Sequence, residues 1–225
     1  MEIILIRHGE STANTAGVLA GRSDDVALTE RGREQVAEAR ALVPELREPS
    51  VPVLTSPIAR CVSTARILAD DDGRAVVLEA LAEVDYGDWT GRSIADLLRE
   101  ELWRTVRSVP SRARFPGGES LSEVYVRARL ALAAARVRAE EAGAGAVVLV
   151  SHGDVIKLAL AHALGVELDQ FQRIAVAPAS VSRILLAPAP RDGGEAVHGP
   201  PMTVTMLGAT AAGRTAQGSV PGGGR

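Results

Sequence analysis

Residues 1–10 read MEIILIRHGE and residues 147–154 read VVLVSHGD. Both are short aliphatic runs, rich in β-branched side chains, that stop on a histidine followed by glycine. Ile3 to Ile6 and Val147 to Val150 show no polar alternation, which suits strands covered on both faces inside a sheet. Val51 to Leu54 and Val76 to Leu78 repeat the pattern.

Between these runs the period lengthens. Residues 28–46, LTERGREQVAEARALVPEL, place Leu28, Val36, Ala39, Leu42, Val43 and Leu46 mostly on one helical face, with Thr29 as N-cap and Glu30 in the first turn. Residues 56–73, SPIARCVSTARILADDDG, carry Pro57 at a helix-opening position and stop near Gly73. Residues 93–109 and 120–143 supply two more helices, separated by Pro110 and the FPGGES turn, and residues 154–165 another, stopped by Gly165. Strands alternating with helices predict a three-layer α/β/α fold with a mainly parallel central sheet. Residues 180–188 and 202–207 read as two further strands, an edge hairpin around the polar stretch Pro188 to Pro201. From Gly208 onward too little apolar content remains to pack. One domain is therefore expected over 1–207 and a disordered Gly/Ala-rich tail over 208–225.

The chain has 225 residues, 46% of them hydrophobic, enough for one sizeable core. A net charge of −3 gives no general attraction to nucleic acid or an anionic membrane, so neither is expected as a partner. Any anion site has to be a local concentration of positive charge. Lys157 is the only lysine and nearly all other cations are arginines, so a single arginine says little and a constellation says more. The lone Cys61 excludes an internal disulfide and leaves no thiolate set for zinc. The opening residues fit neither a signal peptide nor a membrane span, which makes a cytoplasmic location the expectation.

In parallel sheets ligands bind beyond the carboxyl ends of the strands. If both His-Gly runs are central, His8 and His152 face one another there, with glycines allowing the backbone to approach a ligand closely. Leu54-Thr55-Ser56-Pro57 leads into a helix whose first turn carries Arg60, and Arg7 precedes His8. Two guanidinium groups and two imidazoles at one sheet edge describe a phosphate pocket. Glu83, in the loop LAEVDYGDWTGRS, lies just beyond an apolar run. A carboxyl shielded there by Tyr86 or Trp89 would hold its proton and could donate it to a leaving alcohol. Asp85 and Asp88 compete for that role on spacing alone. His162, on a helix, and His198, in the polar linker, stand outside this set, and no metal site is expected.

The blocks LIRHGESTANTAG (5–17), SPIARCVSTA (56–65), LAEVDYGDWTG (81–91), PGGESLSEV (116–124) and VLVSHGDV (148–155), taken together and in this order, resemble the histidine phosphatase superfamily of phosphoglycerate mutase-like enzymes. The resemblance implies that His8 is a nucleophile that becomes a phosphohistidine. It implies that Arg7, Arg60 and His152 hold the phosphoryl oxygens, that Asn14 adds a neutral donor, and that Glu83 is proton donor and later base, without a cofactor. Thr90 departs from the family pattern, which usually has glutamate there. Mutases of the family typically carry a longer basic insertion with a lysine, whereas residues 84–151 here are compact and lysine-free. The expectation is a phosphomonoesterase acting on a small phosphorylated metabolite. A phosphoglycerate-type mutase, with residues 104–120 as its lid, and an inactive phospho-ligand-binding homologue are the alternatives. A homo-oligomer is left open.

Overall fold

Four consecutive aliphatic side chains can be buried only if the two faces of their strand meet different layers, and that is how the opening run is used. In the computed structural model, which describes residues 1–70, 73–187 and 201–211, β1 (Glu2–Arg7) is followed by α1 (Thr12–Ala16), α2 (Glu30–Ala39), β2 (Val53–Thr55), α3 (Ala59–Ala69) and β3 (Ala75–Val77). Then come α4 (Ile94–Leu97), α5 (Glu101–Ser108), α6 (Leu121–Glu141), β4 (Ala146–Ser151), α7 (Gly153–Leu164), β5 (Val181–Leu186) and β6 (Met202–Ala209). Ile3 and Leu5 join one apolar cluster, with Val147 and Leu149 of β4 and the inner faces of α6 and α7. Ile4 and Ile6 join the other, with Val148, Val150 and residues of α2 and α3. Each such fully buried aliphatic side chain contributes about 1.5–3 kcal/mol. Helices thus cover both faces of one six-stranded sheet in the order β3-β2-β4-β1-β5-β6.

The first four strands of that order run parallel, and β5 and β6 are added antiparallel at one edge, as the expected hairpin. Register aligns the strand ends that matter. Arg7 pairs with Ser151, and Thr55 with Val150, so β1, β4 and β2 finish side by side. Beyond them the ladder continues: the His8 N–H donates to the Ser151 carbonyl at 3.0 Å, and the Ser56 N–H to the Val150 carbonyl at 3.0 Å.

Several boundaries differ from the sequence reading. The helix expected over 28–46 ends at Ala39, and 3₁₀ turns at Arg40–Leu42 and Pro44–Arg47 finish the segment, because Pro44 has no N–H to continue it. Its start is as expected, with the Thr29 hydroxyl accepting from the Gly32 N–H at 2.9 Å. α3 begins at Ala59 and stops on Asp70, itself left-handed at φ 54°, ahead of Gly73. The single helix expected over 93–109 is two. Ile94 and Leu97 are buried, but the in-phase positions Leu98 and Glu101 are exposed, and Trp103 and Val106 are buried instead. Six residues separate Leu97 from Trp103, so a continuous helix would rotate one pair away from the core by about 120°. β6 extends through Gly208 and Ala209, past the expected start of the tail, because the Gly208 N–H still reaches the Ser182 hydroxyl at 2.9 Å. Residues 212–225, most of the linker after Ala187, and His198 lie outside the described residues. Among the described residues no helix is long and apolar enough to cross a membrane.

Candidate active site

The aligned ends of β1, β4 and β2 set four polar side chains against one another under complete burial. The His8 and His152 rings meet edge to face, with centroids 5.3 Å apart. Arg60, on the first turn of α3, lies between them. Its Nε donates to His8 Nε2 at 3.3 Å, and its Nη2 donates both to His152 Nδ1 at 3.1 Å and to the Gly21 carbonyl at 2.8 Å. Its Nη1 is buried with no hydrogen-bond partner. Arg7 is anchored through Nη1 to the Val176 carbonyl at 2.8 Å.

These bonds fix the tautomers, because a guanidinium only donates. His8 Nε2 accepts from Arg60, so the proton sits on Nδ1 and is donated to the Gly9 carbonyl at 2.7 Å. His152 Nδ1 likewise accepts, leaving Nε2–H to donate to the Ser56 hydroxyl at 2.8 Å. Burial first, and then the Arg60 charge, hold both imidazoles well below the usual histidine range. Both are therefore neutral at pH 7, and the positive charge in the site belongs to Arg7 and Arg60.

Glu83 closes the opposite side. Its carboxyl is 3.8 Å from His152 Nδ1 and takes the Val84 N–H at 3.0 Å. Burial and then the nearby Asp154 raise its pKa to about 7, against the lowering pull of Arg60. The loop carrying it is clamped from behind: Arg22 Nε and Arg127 Nη2 each donate to the Glu83 carbonyl at 3.0 Å, and both guanidinium groups pair with Glu119. Of its rivals, Asp85 is used to accept the Gly87 N–H at 3.0 Å, and Asp88 lies beside Gly117. The structure thus brings Arg7, His8, Arg60, Glu83 and His152 together. Asn14 lies on α1, where its side-chain oxygen closes a capping box with Ser11. His162 is half-buried against Tyr125, apart from this group.

The glycine after His8 also has a packing role. A Cβ on Gly9 would stand 2.3 Å from the Gly32 carbonyl, so Gly9 admits the backbone of α2. At Gly153 a Cβ would meet only the Arg7 guanidinium, at 3.5 Å, an ordinary contact. Residues 104–120 do not stand off as a lid. Val106, Pro110, Ala113 and Phe115 are buried, and the Arg114 guanidinium pairs with Glu123. Thr90 packs against Gly21, whose carbonyl receives Arg60.

Sequence reasoning missed Ser56 and a buried cluster behind Glu83. There the Tyr86 hydroxyl donates to Asp154 Oδ2 at 2.9 Å, and Lys157 Nζ donates to Asp154 Oδ1 at 3.3 Å and to Gln172 Oε1 at 3.3 Å. A signal existed: Lys157 is the sole lysine, flanked by Ile156 and Leu158, and Asp154 is three residues before it.

Most of the chain is similar to known proteins. The model of the histidine phosphatase superfamily (branch 1) matches residues 3–191. A protein named for a phosphoglycerate mutase, GpmB of Erwinia tasmaniensis, is 33% identical over 187 residues, covering 82% of this chain and 84% of that protein. Phosphoserine phosphatase 1 of Hydrogenobacter thermophilus is 33% identical over 188 residues, covering 82% and 86%. The crystal structure of the alpha-ribazole phosphatase from Shigella flexneri superposes with a TM-score of 0.75 at 26% identity, covering 93% of this chain and 96% of that one.

Proposed function

We propose that this chain, which belongs to branch 1 of the histidine phosphatase superfamily, is a phosphatase that hydrolyses a small phosphate monoester through a phosphohistidine on His8, without a metal. The observation that carries this reading is the state of His8: a neutral ring, locked by the Gly9 carbonyl through Nδ1, with the lone pair of Nε2 directed at the Arg60 guanidinium. A phosphoryl group drawn to Arg60 and Arg7 takes over the Arg60 Nε donor and frees that lone pair to attack phosphorus. Two fixed cations on buried side chains match a dianionic ester and stabilise the charge on its equatorial oxygens.

In the first step His8 Nε2 forms a bond to phosphorus as the P–O bond to the leaving group breaks, and the Glu83 proton passes to the departing oxygen. In the second, the Glu83 carboxylate takes a proton from water, the water oxygen attacks phosphorus, and the P–N bond breaks to release inorganic phosphate and neutral His8. Asn14 contributes a neutral donor to the phosphoryl pocket, and His152, whose Nε2–H is given to Ser56, lines the pocket and holds Arg60 through Nδ1.

A mutase is the second reading, favoured by relatives named for that activity. Against it stands the anchored 104–120 segment, whose Arg114 is already paired. A mutase has to keep water from its phosphoenzyme, which calls for a segment that closes. The test is a screen of phosphorylated metabolites scored by phosphate release, with protein quenched during turnover. Acid-labile phosphate on the parent chain and none on His8→Ala is expected. Interconversion of 2- and 3-phosphoglycerate without stoichiometric phosphate release would make the protein a mutase.

A further inference from the structure

Beneath Glu83 lies charge that the reaction above does not use. Asp154 and Lys157 are 3% and 1% exposed and form an ion pair across one turn of α7. A buried pair of this kind adds little stability over apolar residues of the same volume, so packing does not account for it. The pair is also oriented. Tyr86, three residues after Glu83 in the same loop, spends its hydroxyl on Asp154 Oδ2, while Lys157 holds Oδ1. Asp154 is two residues after His152, which itself touches the Glu83 carboxyl.

We infer that Asp154, gripped between the Tyr86 hydroxyl and the Lys157 ammonium, is a positioning residue that keeps a proton on the Glu83 carboxyl until the leaving group needs it. This rests on the reading of Glu83 as proton donor. The charges that bear on the Glu83 carboxyl come from three elements, while Arg22 and Arg127, on its backbone carbonyl, are both paired with Glu119. Arg7 on β1 and Arg60 on α3 favour its ionised form, whereas Asp154 on α7 opposes it. His8 and His152 are neutral, and the Tyr86 hydroxyl is kept protonated by burial and by Asp154. With two arginines present, burial alone competes against strong ionising charge; a fixed carboxylate behind Glu83 restores the balance at neutral pH. Lys157 keeps that carboxylate buried and directed, and Tyr86 ties its position to the Glu83 loop.

The test is Asp154→Asn, which preserves shape and an acceptor for Tyr86 while removing the charge. Glu83 is followed by carboxyl ¹³C NMR, assigned by loss of its signal in Glu83→Gln, and by the pH profile of kcat/KM for an alkyl phosphate ester. Both the Glu83 titration and the basic limb of the profile are expected to move about one pH unit lower. If the variant does not fold because Lys157 is left unpaired, the double variant Asp154→Asn with Lys157→Met is read against Lys157→Met alone, so that only the Asp154 charge differs between the two. A Glu83 titration that stays in place in a folded variant overturns the inference. The parent reading fails separately: if Glu83→Gln slows alkyl and activated aryl esters equally, Glu83 is not the donor, whatever its titration does.

Discussion

Arg7, His8, Arg60 and His152 stand on the ends of three adjacent strands, or on the first turn that follows one, and their places are set by ladder register. Glu83 stands on a loop after the edge strand β3, reached through a 3₁₀ turn at Glu79–Leu81 and held by side chains from elsewhere. One half of the site is backbone architecture and the other is loop packing. The first half can be damaged only by breaking the sheet or removing a side chain. The second depends on contacts between turns and so can be shifted gradually, which makes it the half where substrate preference can change without loss of phosphate binding.

The sharpest division between the halves is chemical. His8→Ala is expected to slow alkyl and activated aryl phosphate esters alike by about 10⁴-fold or more, with the fold retained. Glu83→Gln is expected to lower kcat/KM, which reports the phosphorylation step, by about 10³-fold for alkyl esters and by less than about tenfold for aryl esters, because only the former need a proton on the leaving oxygen. Steady-state kinetics on the two ester classes measures both, and an equal loss in Glu83→Gln would erase the distinction.

A smaller effect should come from displacing the loop without touching its carboxyl. Gly87 has φ 50°, and a Cβ on it would lie 2.0 Å from the Pro116 carbonyl. Gly87→Ala therefore pushes the Glu83 loop off the 116–118 turn. Alkyl ester turnover should fall about 10- to 100-fold and aryl ester turnover should change little. If both fell together, the loop would be supporting the strand ends as well.

The pattern by which the two halves could be read from sequence follows the same division. His8, His152, Arg7 and Arg60 were legible because a buried aliphatic run that stops on polar residues can end only at a sheet edge. Glu83 was distinguishable from Asp85 and Asp88 only through family resemblance, since three carboxylates in one loop have no period to separate them. Asp85 is taken up by a turn to Gly87 that spacing does not reveal. The break between α4 and α5 was invisible for a related reason: no proline or glycine marks it, and only the need to seat Trp103 beside Trp89 imposes the change of phase. Arg127, half-buried on α6 with its donors on the Ala80, Ala82 and Glu83 carbonyls, looked like any other arginine in an arginine-rich chain.

The smallest expected effect is thermodynamic. The folded chain raises Glu83 from 4.5 to about 7, so the native state holds a proton that the unfolded chain releases between those values. Stability from this group is therefore full below about pH 4.5 and is lost as pH rises through 7. Glu83→Gln removes the penalty: the variant should melt about 5 °C above the parent at pH 8 and at nearly the same temperature at pH 5. Equal melting temperatures at pH 8 would mean that the loop relaxes enough to hydrate the carboxylate.

The position of β4 has a consequence for the history of each molecule. It lies between β1 and β2, yet 90 residues separate it in the chain from the end of β2. Until Ala146–Ser151 has been synthesised, β1 and β2 have no strand to join them, and contacts this distant in sequence form slowly. The segment that completes the sheet also delivers His152. A nascent chain therefore cannot acquire a complete pocket before its structural centre closes, so completion of the sheet and assembly of the site coincide in a single late event.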